Sequence, residues 1–231
     1  MLYVVATPIG NLDDFSPRGV QALRDAEIIA CEDTRRTRIL LTHFDIPKPR
    51  YMVSYRQGNE DPSGRKLLSW LREGRTIALC SDSGYPGISD PGYRLVHSVV
   101  EEGLELDVIP GASAPPLALL LSGFSTSSYT FKGYSPRKPG KARKFFEMDA
   151  EQPHTLIFFE SPYRLGKMLA FAREAFGNRQ AAVCFELTKT FQRVWRGTLD
   201  ELIEQTAQSG KIKGEITVVI EGRGREKQEA S

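Results

Sequence analysis

Residues 76–102 read TIALC-SDSGYPGISD-PGYRLVHSVVEE, which is an apolar run, a loop rich in glycine and proline, and a helical pattern. The apolar run predicts a strand over 76–81, and the helical pattern covers 91–102. Gly103 suits the left-handed cap that ends many helices, and a second strand-like run follows at 105–109. This order predicts a β–α–β unit with parallel strands.

The same alternation continues along the chain and predicts an α/β fold with largely parallel strands, becoming more mixed in the second half. A joint of small residues at 110–116 marks a domain boundary near residues 113–120. We therefore expect an N-terminal α/β domain (1–115), a C-terminal α/β domain (116–222) and a polar tail (223–231). Strands are predicted at 2–6, 27–31, 76–81, 105–109, 130–133, 155–159, 181–185, 192–196 and 215–221, with a hairpin-like return near 185–197. Helices are predicted near 17–25, 35–43, 63–73, 91–102, 114–122, 141–149, 162–175 and 199–208.

Three helix starts and three helix ends carry local signals. Ser16-Pro17, Asp90-Pro91 and Ser161-Pro162 each place a capping oxygen before a proline, whose fixed φ suits the first helical turn. Gly74, Gly103 and Gly177 each follow a helical pattern and predict its end.

The composition favours a cytoplasmic protein. The chain has 231 residues, 40% of them hydrophobic and 26% charged, and no apolar run reaches the roughly 18 residues of a membrane span. The N-terminus enters a strand-like run without a preceding basic region, so we expect no signal peptide. Its 3 cysteines and 3 histidines are widely spaced, which favours reduced thiols and no metal site.

The net charge of +2 says little, but the distribution of charge is informative. No acidic residue lies between Asp107 and Glu147, whereas Lys132 and five further cations do. A second basic cluster lies at 35–38. Either cluster alone could be a solvated face, but together they make an anionic partner such as RNA plausible. The candidate RNA-binding residues are Arg35, Arg36, Arg38, Arg137, Lys138, Lys141, Arg143 and Lys144.

Two loops that follow predicted strands could hold a ligand, since ligands of open α/β sheets bind beyond the carboxyl ends of strands. The first, at 6–12, contains only Gly10 and matches neither the dinucleotide nor the P-loop pattern. It could instead be a simple tight turn. The second, at 81–93, is long and rich in glycine, so its backbone could approach a ligand closely. Within it we expect Asp90 to cap a helix and Asp82 to contact the ligand.

Carboxylates and a lysine at strand ends are candidates for catalysis. Glu32 and Asp33 lie beside several arginines and could orient a substrate or supply a general base. The alternative is a helix cap, with Asp33 or Thr34 as the capping residue. Glu186 and Lys189 close a later apolar strand, where a structural ion pair would explain them equally well.

Six segments taken together, at 6–12, 30–38, 81–95, 110–114, 159–164 and 186–189, closely resemble the ribosomal RNA small-subunit methyltransferase I family. That family belongs to the tetrapyrrole methylase superfamily. The resemblance covers nearly the whole chain and is most specific in the strings ACEDTR (30–35) and SDPGYRL (89–95).

The resemblance implies two α/β domains of the tetrapyrrole methylase type, with S-adenosylmethionine in the cleft between them, and a homodimer. It also implies 2′-O-methylation of a cytidine ribose in the decoding region of 16S ribosomal RNA, as free RNA or in the 30S subunit. The base would be Glu32, Asp33, Glu186 or Lys189. The cofactor contacts carried over by motif position are Pro8, Asp82, Gly84, Ile88, Ser113, Ala114, Phe159, Leu187 and Gly214.

Two departures from the family pattern bear on these expectations. Family members usually carry Ala-Gly-Thr-Pro where this chain has Ser83-Gly84-Tyr85-Pro86, so the predicted cofactor loop is bulkier at Tyr85. Many also continue into a small helical module beyond the last strand; if that module helps to hold RNA, this chain would bind RNA more weakly or rely on residues 132–144 instead. The rival interpretations are a methylase acting on a tetrapyrrole or on the diphthamide precursor, and a non-catalytic RNA-binding protein that keeps the fold.

Overall fold

The computed structural model describes residues 1–223, so all but the first residue of the predicted polar tail lies outside the described residues. The chain divides into two compact units, the first comprising Met1–Ser113 and the second beginning at Ala114. The sequence-based domain bounds, and the idea that the second domain completes the cofactor site, stay predictions. Within residues 1–223, no helix has both the length and the apolar character needed to cross a bilayer.

The first unit is a parallel sheet of five strands in the order β3-β2-β4-β1-β5. Both faces are covered, because alternate residues of each strand enter two separate cores: Ile29 and Cys31 lie on one face, Ile28 and Ala30 on the other. The elements are β1 (Leu2–Val5), α1 (Pro17–Asp25), β2 (Ile28–Cys31), α2 (Thr34–His43), β3 (Tyr51–Ser54), α3 (Glu60–Arg72), β4 (Ile77–Cys80), α4 (Tyr93–Glu101) and β5 (Leu106–Ile109), with a short 3-10 turn at Leu12–Asp14.

The second unit is a mixed sheet of five strands in the order β6-β7-β10-β8-β9. β6 and β7 are parallel and the other neighbouring pairs are antiparallel, including the β8–β9 return expected from sequence. Its core includes Phe146, Phe158 and Phe185. The elements are α5 (Ala114–Ser122), β6 (Tyr129–Tyr134), α6 (Pro139–Glu147), β7 (Thr155–Glu160), α7 (Leu165–Phe176), β8 (Gln180–Phe185), β9 (Arg193–Thr198), α8 (Leu199–Gln208) and β10 (Ile216–Ile220).

The α/β fold class is confirmed, and one strand was missed. β3 pairs with β2 at the edge of the first sheet and is partly exposed along its length. It has only four residues, Tyr51–Ser54, and follows a segment with two prolines, so it lacks the apolar run that marks a buried strand.

Of the three predicted helix starts, one is confirmed and two are wrong. Ser16 caps α1 by accepting a hydrogen bond from the Gly19 N–H at 3.0 Å. The Asp90 cap is wrong because the Pro91 carbonyl accepts from the Gly87 N–H, which closes a loop before α4 begins at Tyr93.

The Ser161 cap is wrong for a similar reason. The Arg164 N–H donates to the Ser161 carbonyl at 3.0 Å, so residues 161–164 form a separate turn and α7 begins at Leu165. The predicted helix ends are confirmed: Gly74, Gly103 and Gly177 have φ values of +80°, +64° and +71°.

Candidate active site

The loops that follow β1 and β4 are joined at the carboxyl edge of the first sheet. The Thr7 N–H donates to the Gly84 carbonyl at 2.9 Å, and the Gly84 N–H donates back to the Thr7 carbonyl at 3.1 Å. The buried Thr7 hydroxyl donates to the Ser81 carbonyl at 3.2 Å. The two loops predicted to contact the cofactor are therefore held together by backbone groups at the edge where such folds bind ligands.

Glycine is required inside the 81–93 loop because the backbone folds tightly on itself. Gly92 has a φ of +152°, and a Cβ atom added there would lie 2.6 Å from the Gly87 nitrogen. No rotamer change can relieve that contact, since the neighbour is backbone. The 81–93 loop is therefore tightly folded at the carboxyl edge of the first sheet, at a position where only glycine fits.

A groove of about 490 Å³ opens beside this loop, where β2, β3 and β4 end. Three carboxylates and two guanidinium groups contribute to its wall, so it is strongly polar. The lining residues are Glu32, Asp33, Thr34, Arg35, Ser54, Arg56, Gln57 and Asp82. The structure therefore brings the 31–38 segment and Asp82 together, as expected if both serve one site.

The carboxylates of Asp33 and Asp82 both form hydrogen bonds and ion pairs within the first unit. Asp33 caps α2 through the Arg35 N–H at 2.8 Å and also pairs with the Arg35 guanidinium at 2.7 Å, which matches the capping alternative. Asp82 accepts from the Asp33 N–H at 3.1 Å and pairs with Arg36 at 3.2 Å. Arg35 holds the pKa of Asp33 well below its usual range, so Asp33 stays ionised.

Glu32 differs from its neighbour. Burial raises the pKa of its carboxyl, and the nearby Asp82 charge raises it further, against the lowering effects of an Asp82 backbone hydrogen bond and Arg36. Glu32 is partly exposed and lines the groove. Two adjacent carboxyl groups whose pKa values are shifted in opposite directions indicate different roles, and Glu32 is the one moved toward neutral pH.

The three cysteines are buried thiols without a disulfide partner. Burial raises the pKa of Cys31 and Cys80, and raises that of Cys184 to about 11. Reactive cysteines have lowered pKa values, so these thiols belong to the cores and not to the chemistry. Within residues 1–223, no three potential His, Cys, Asp or Glu metal ligands lie close together.

In the second unit, Glu186, Lys189 and Glu215 form a compact charged group at the end of β8. Glu186 accepts from the Glu215 N–H at 2.7 Å and from the Lys189 ammonium at 3.1 Å, and Lys189 also pairs with Glu215 at 3.0 Å. Burial raises the pKa of Glu186, but the two hydrogen-bond donors outweigh it, so the pKa is lowered overall. Burial lowers the pKa of Lys189, but its two carboxylate partners outweigh it, so that pKa is raised overall. The structural ion pair considered from sequence is present.

A second polar network in this unit ties the end of β7 to the loop after β6. The Glu160 side chain is fully buried, accepts from the Ser135 hydroxyl and the Ser161 N–H, and lies 3.4 Å from the Arg164 guanidinium. Arg164 also donates to the carbonyls of Ser135 and Pro136, at 3.1 and 2.8 Å. This network fixes the start of the basic segment 137–144.

The eight predicted RNA-binding cations fall into two groups. Arg35, Arg36 and Arg143 are committed to ion pairs, the last with Glu174 at 2.8 Å. Lys132, from the same acid-free stretch, pairs with Asp149 and is mostly buried. The remaining five are exposed and form no ion pair within residues 1–223: Arg38, Arg137, Lys138, Lys141 and Lys144.

The predicted cofactor contacts are distributed over both units. The Thr7–Gly84 bridge brings Pro8, Asp82 and Gly84 close together. Ile88 is 50% exposed on the same loop. Gly214 packs against Glu186, next to the buried Leu187, while Phe159 contacts Phe131 edge-on. Ser113 ends the first unit, and Ala114 begins the second.

The residues of the first unit fit S-adenosylmethionine. That cofactor carries a sulfonium and an ammonium group, and the groove offers the carboxylates of Glu32, Asp33 and Asp82. Carboxylates stabilise cationic groups in a partly desolvated site more than in water. The three carboxylates of the groove outnumber its two guanidinium groups, which favours a ligand with positive centres over one with phosphates.

Several residues at these sites were missed from sequence. Ser54, Arg56 and Gln57 line the groove but follow β3, and their position could be inferred only if that strand were recognised. Glu160 itself is visible from sequence as a carboxylate that closes an apolar strand, but nothing in the sequence shows its contact with Ser135, 25 residues earlier.

Comparison with known proteins identifies the family. The model of the tetrapyrrole (corrin/porphyrin) methylases matches residues 1–203. The "Ribosomal RNA small subunit methyltransferase I" of Halalkalibacterium halodurans is 47% identical over 223 residues, covering 96% of this chain and 76% of the relative. The protein of the same name from Thermotoga maritima is 40% identical, covering 96% of this chain and 98% of the relative.

Solved structures share the fold at low sequence identity. The methyltransferase CobJ superposes with a TM-score of 0.72 at 19% identity, covering 96% of this chain and 94% of that one. Diphthine synthase gives a TM-score of 0.68 at 13% identity, covering 97% and 91%. This chain therefore belongs to the ribosomal RNA small subunit methyltransferase I family of the tetrapyrrole methylases, and it is a methyltransferase that uses S-adenosylmethionine.

Proposed function

We propose that this chain methylates small-subunit ribosomal RNA, at the ribose 2′-hydroxyl of a cytidine in the decoding region. The RNA substrate is the one named for relatives that are 38–47% identical over nearly the whole chain. The cytidine, its position and the 2′-oxygen come from the family resemblance of the sequence motifs. The observation in this chain that carries the proposal is the polar groove where β2, β3 and β4 end, with Glu32 inside it.

Glu32 is the proposed general base. A ribose hydroxyl must lose its proton during attack, and a carboxylate with a raised pKa accepts that proton better than an ordinary one. The three other candidates are held by partners, since Asp33 caps α2 and Glu186 and Lys189 pair with each other. In this proposal Asp33 holds the start of α2 at the wall of the groove, and the Glu186–Lys189 pair stabilises the turn that follows β8.

The proposed cofactor contacts divide into two kinds. Pro8, Ser113 and Ala114 present backbone groups, Gly84 allows a close approach of the chain, and Asp82 presents a carboxylate to a cationic centre. Ile88, Phe159, Leu187 and Gly214 supply apolar contact and close backbone approach. S-adenosylmethionine supplies an electrophilic methyl group when bound, so the protein's main tasks are to align the hydroxyl and to exclude water.

The proposed RNA contacts are the five exposed cations that form no ion pair with the residues up to 223, namely Arg38, Arg137, Lys138, Lys141 and Lys144. Arg35, Arg36 and Arg143 must exchange a carboxylate for a phosphate to join them, which reduces their net contribution. Phosphate contacts release counterions, so affinity should fall steeply with salt. A homodimer in the cytoplasm, where ribosomal RNA is found, completes the proposal.

The test is transfer of labelled methyl from S-adenosylmethionine to small ribosomal subunits from a strain that lacks the modification, and to the free RNA. Mapping of the labelled nucleotide by nuclease digestion and mass spectrometry follows. A 2′-O-methylcytidine in the decoding region is the expected product, and Glu32→Gln should abolish most of the transfer. Cofactor binding without transfer to either RNA would refute the proposal and favour a tetrapyrrole substrate or a non-catalytic role.

A further inference from the structure

Three exposed aromatic side chains lie at one edge of the second sheet. β6 and β7 are parallel, and β10 is antiparallel to both β7 and β8, so β6, β7 and β8 all end at the same edge. Tyr134 ends β6, Tyr163 follows β7, and Phe191 follows β8. We call these three residues the aromatic edge. Because β10 alone separates β7 from β8, the ends of those two strands are about 10 Å apart.

The rings of the aromatic edge face solvent. Tyr163 is 85% exposed, Phe191 80% and Tyr134 61%, although aromatic side chains usually contribute to the core. Exposed aromatic groups gathered at one place mark an interaction site more often than scattered ones do. Tyr134 forms a T-shaped contact with Phe159, with ring centroids 5.4 Å apart, and is still 61% exposed.

Short hydrogen-bonded turns present the two most exposed rings. Tyr163 lies in the 161–164 turn, which the Glu160 carboxylate holds through the Ser161 N–H at 2.7 Å. Phe191 lies in a turn closed by the Gln192 N–H to the Lys189 carbonyl at 2.9 Å. The Gln192 side chain also accepts from the Thr188 N–H at 2.6 Å. The backbone that carries both rings is therefore held in place before a partner binds, which lowers the entropic cost of binding.

Positive charge accompanies these rings along the same edge. Arg137 and Lys138 lie between β6 and α6, and Lys211 and Lys213 precede β10, whose antiparallel direction places its start here. All four are exposed and form no ion pair in the part of the chain that the structure describes. Aromatic faces among exposed cations are the combination that binds single-stranded nucleic acid, since the rings stack on bases and the cations contact phosphates.

We propose that the aromatic edge is a stacking platform for unpaired nucleobases of the RNA substrate. The platform rests on the proposed function for its ligand class, but it assigns a binding role to residues that the motifs leave without one. Tyr163 and Phe191 each stack on one base, and Arg137, Lys138, Lys211 and Lys213 hold the connecting phosphates. Duplex RNA is excluded, because its bases are already stacked on one another.

The test measures binding of the full chain to a fluorescent 12-nucleotide oligocytidylate, its abasic analogue and a duplex of equal length. Tyr163→Ala and Phe191→Ala should each weaken binding of the single strand by about 5- to 150-fold, the range found when a base–aromatic contact is removed. Neither variant should change the weaker binding of the abasic strand. Tyr163→Phe should restore wild-type affinity, because it keeps the ring.

Tyr129→Ala is the matched control. Tyr129 is 47% exposed on the same sheet but begins β6, at the opposite edge, so its loss should leave affinity unchanged. Salt dependence separates stacking from charge: Tyr163→Ala should keep the slope of log affinity against log salt, whereas Lys138→Ala should reduce its magnitude by about one. Equal losses in Tyr129→Ala and Tyr163→Ala would overturn the proposal.

Two further outcomes would also overturn it. If Tyr163→Ala and Phe191→Ala bind RNA normally but sediment as smaller species, the aromatic edge is a contact between copies of this chain. If they bind RNA normally but lose affinity for S-adenosylmethionine, the rings serve the cofactor. Methyl transfer by the wild type to small subunits tests the proposed function separately. Oligonucleotide binding needs no catalysis, so either hypothesis can fail while the other stands.

Discussion

Replacing Gly214 with alanine should strongly destabilise the second unit, for two separable reasons. Gly214 has a φ of +92°, a conformation that L-residues adopt at a cost of about 1–2 kcal/mol. An added Cβ would also lie 2.5 Å from the Glu186 carboxyl carbon. The carboxylate would have to leave the Glu215 N–H and the Lys189 ammonium, to which it is bonded at 2.7 and 3.1 Å.

The expected magnitude follows from these two effects. A hydrogen bond to a charged group contributes about 1.5–3 kcal/mol, and at least one of the two would be lost. Together with the backbone strain, Gly214→Ala should lower the free energy of unfolding by about 2.5–5 kcal/mol. That is a large fraction of the stability of an ordinary domain.

Guanidinium denaturation followed by tryptophan fluorescence would measure the change. Trp195 packs against Phe185 in the second unit and Trp70 lies in the first, so a Trp70→Phe background makes the signal specific for the second unit. Gly123 has a φ of +78° and Gly210 has no positive φ, and a Cβ at either would meet nothing within 4 Å. Gly123→Ala should therefore cost about 1–2 kcal/mol and Gly210→Ala almost nothing.

A double-mutant cycle isolates the clash with the carboxylate. In a Glu186→Ala background the added methyl group meets no carboxylate, so Gly214→Ala should cost only the strain of about 1–2 kcal/mol. If Gly214→Ala costs the same in both backgrounds, or no more than Gly123→Ala, the reasoning is wrong. In that case Glu186 moves aside without losing its hydrogen bonds.

Three further predictions concern ionisation and charge. Glu32→Gln should reduce kcat by about 10²- to 10⁴-fold at saturating cofactor. Because the pKa of Glu32 in the folded protein lies above the ordinary 4.5, the wild type should lose stability as the pH rises from 4.5 through the raised pKa. The Glu32→Gln variant should not show this loss. Cys184, with a pKa of about 11, should resist a disulfide reagent at pH 8 until the protein unfolds, and rapid labelling of the native protein would contradict its burial. Lys141→Ala should reduce the salt dependence of RNA binding by about one phosphate contact, whereas Arg143→Ala should change it less, because Glu174 already holds that guanidinium; equal slopes would show that the ion pair opens on binding.

Most of the fold could be predicted because its signals are local. Strand ends that combine an apolar run with a glycine-rich loop, as at 76–93, and helix ends at Gly74, Gly103 and Gly177 depend on a few neighbouring residues. The errors arose where a distant or competing hydrogen bond intervened. The Pro91 carbonyl bonds to Gly87 instead of starting α4, and β3 forms only because β2 offers it an edge.

Part of the candidate site could be predicted from sequence, namely its carboxylates, but not their ionisation. The motifs selected Glu32, Asp33 and Asp82, and the structure places all three around one groove. Glu32 and Asp33 are adjacent in sequence and similar in type, yet their pKa values move in opposite directions. The lowered pKa of Asp33 comes from Arg35, two residues away, but the raised pKa of Glu32 depends on burial and on Asp82, which lies 49 residues beyond Asp33 and which no local pattern reports.

The sequence by itself determined the α/β elements, the family and the identity of the candidate carboxylates, because periodicity, caps and motif strings are written in consecutive residues. Only the tertiary structure decided which cations are held in ion pairs and which carboxyl group has a raised pKa. It also decided that Tyr163 and Phe191 lie at the same edge of the second sheet. These properties depend on strand order and direction. β10 lies between β7 and β8, so it sets the spacing of the two strand ends that precede Tyr163 and Phe191, and its own start places the neighbouring lysines at that edge.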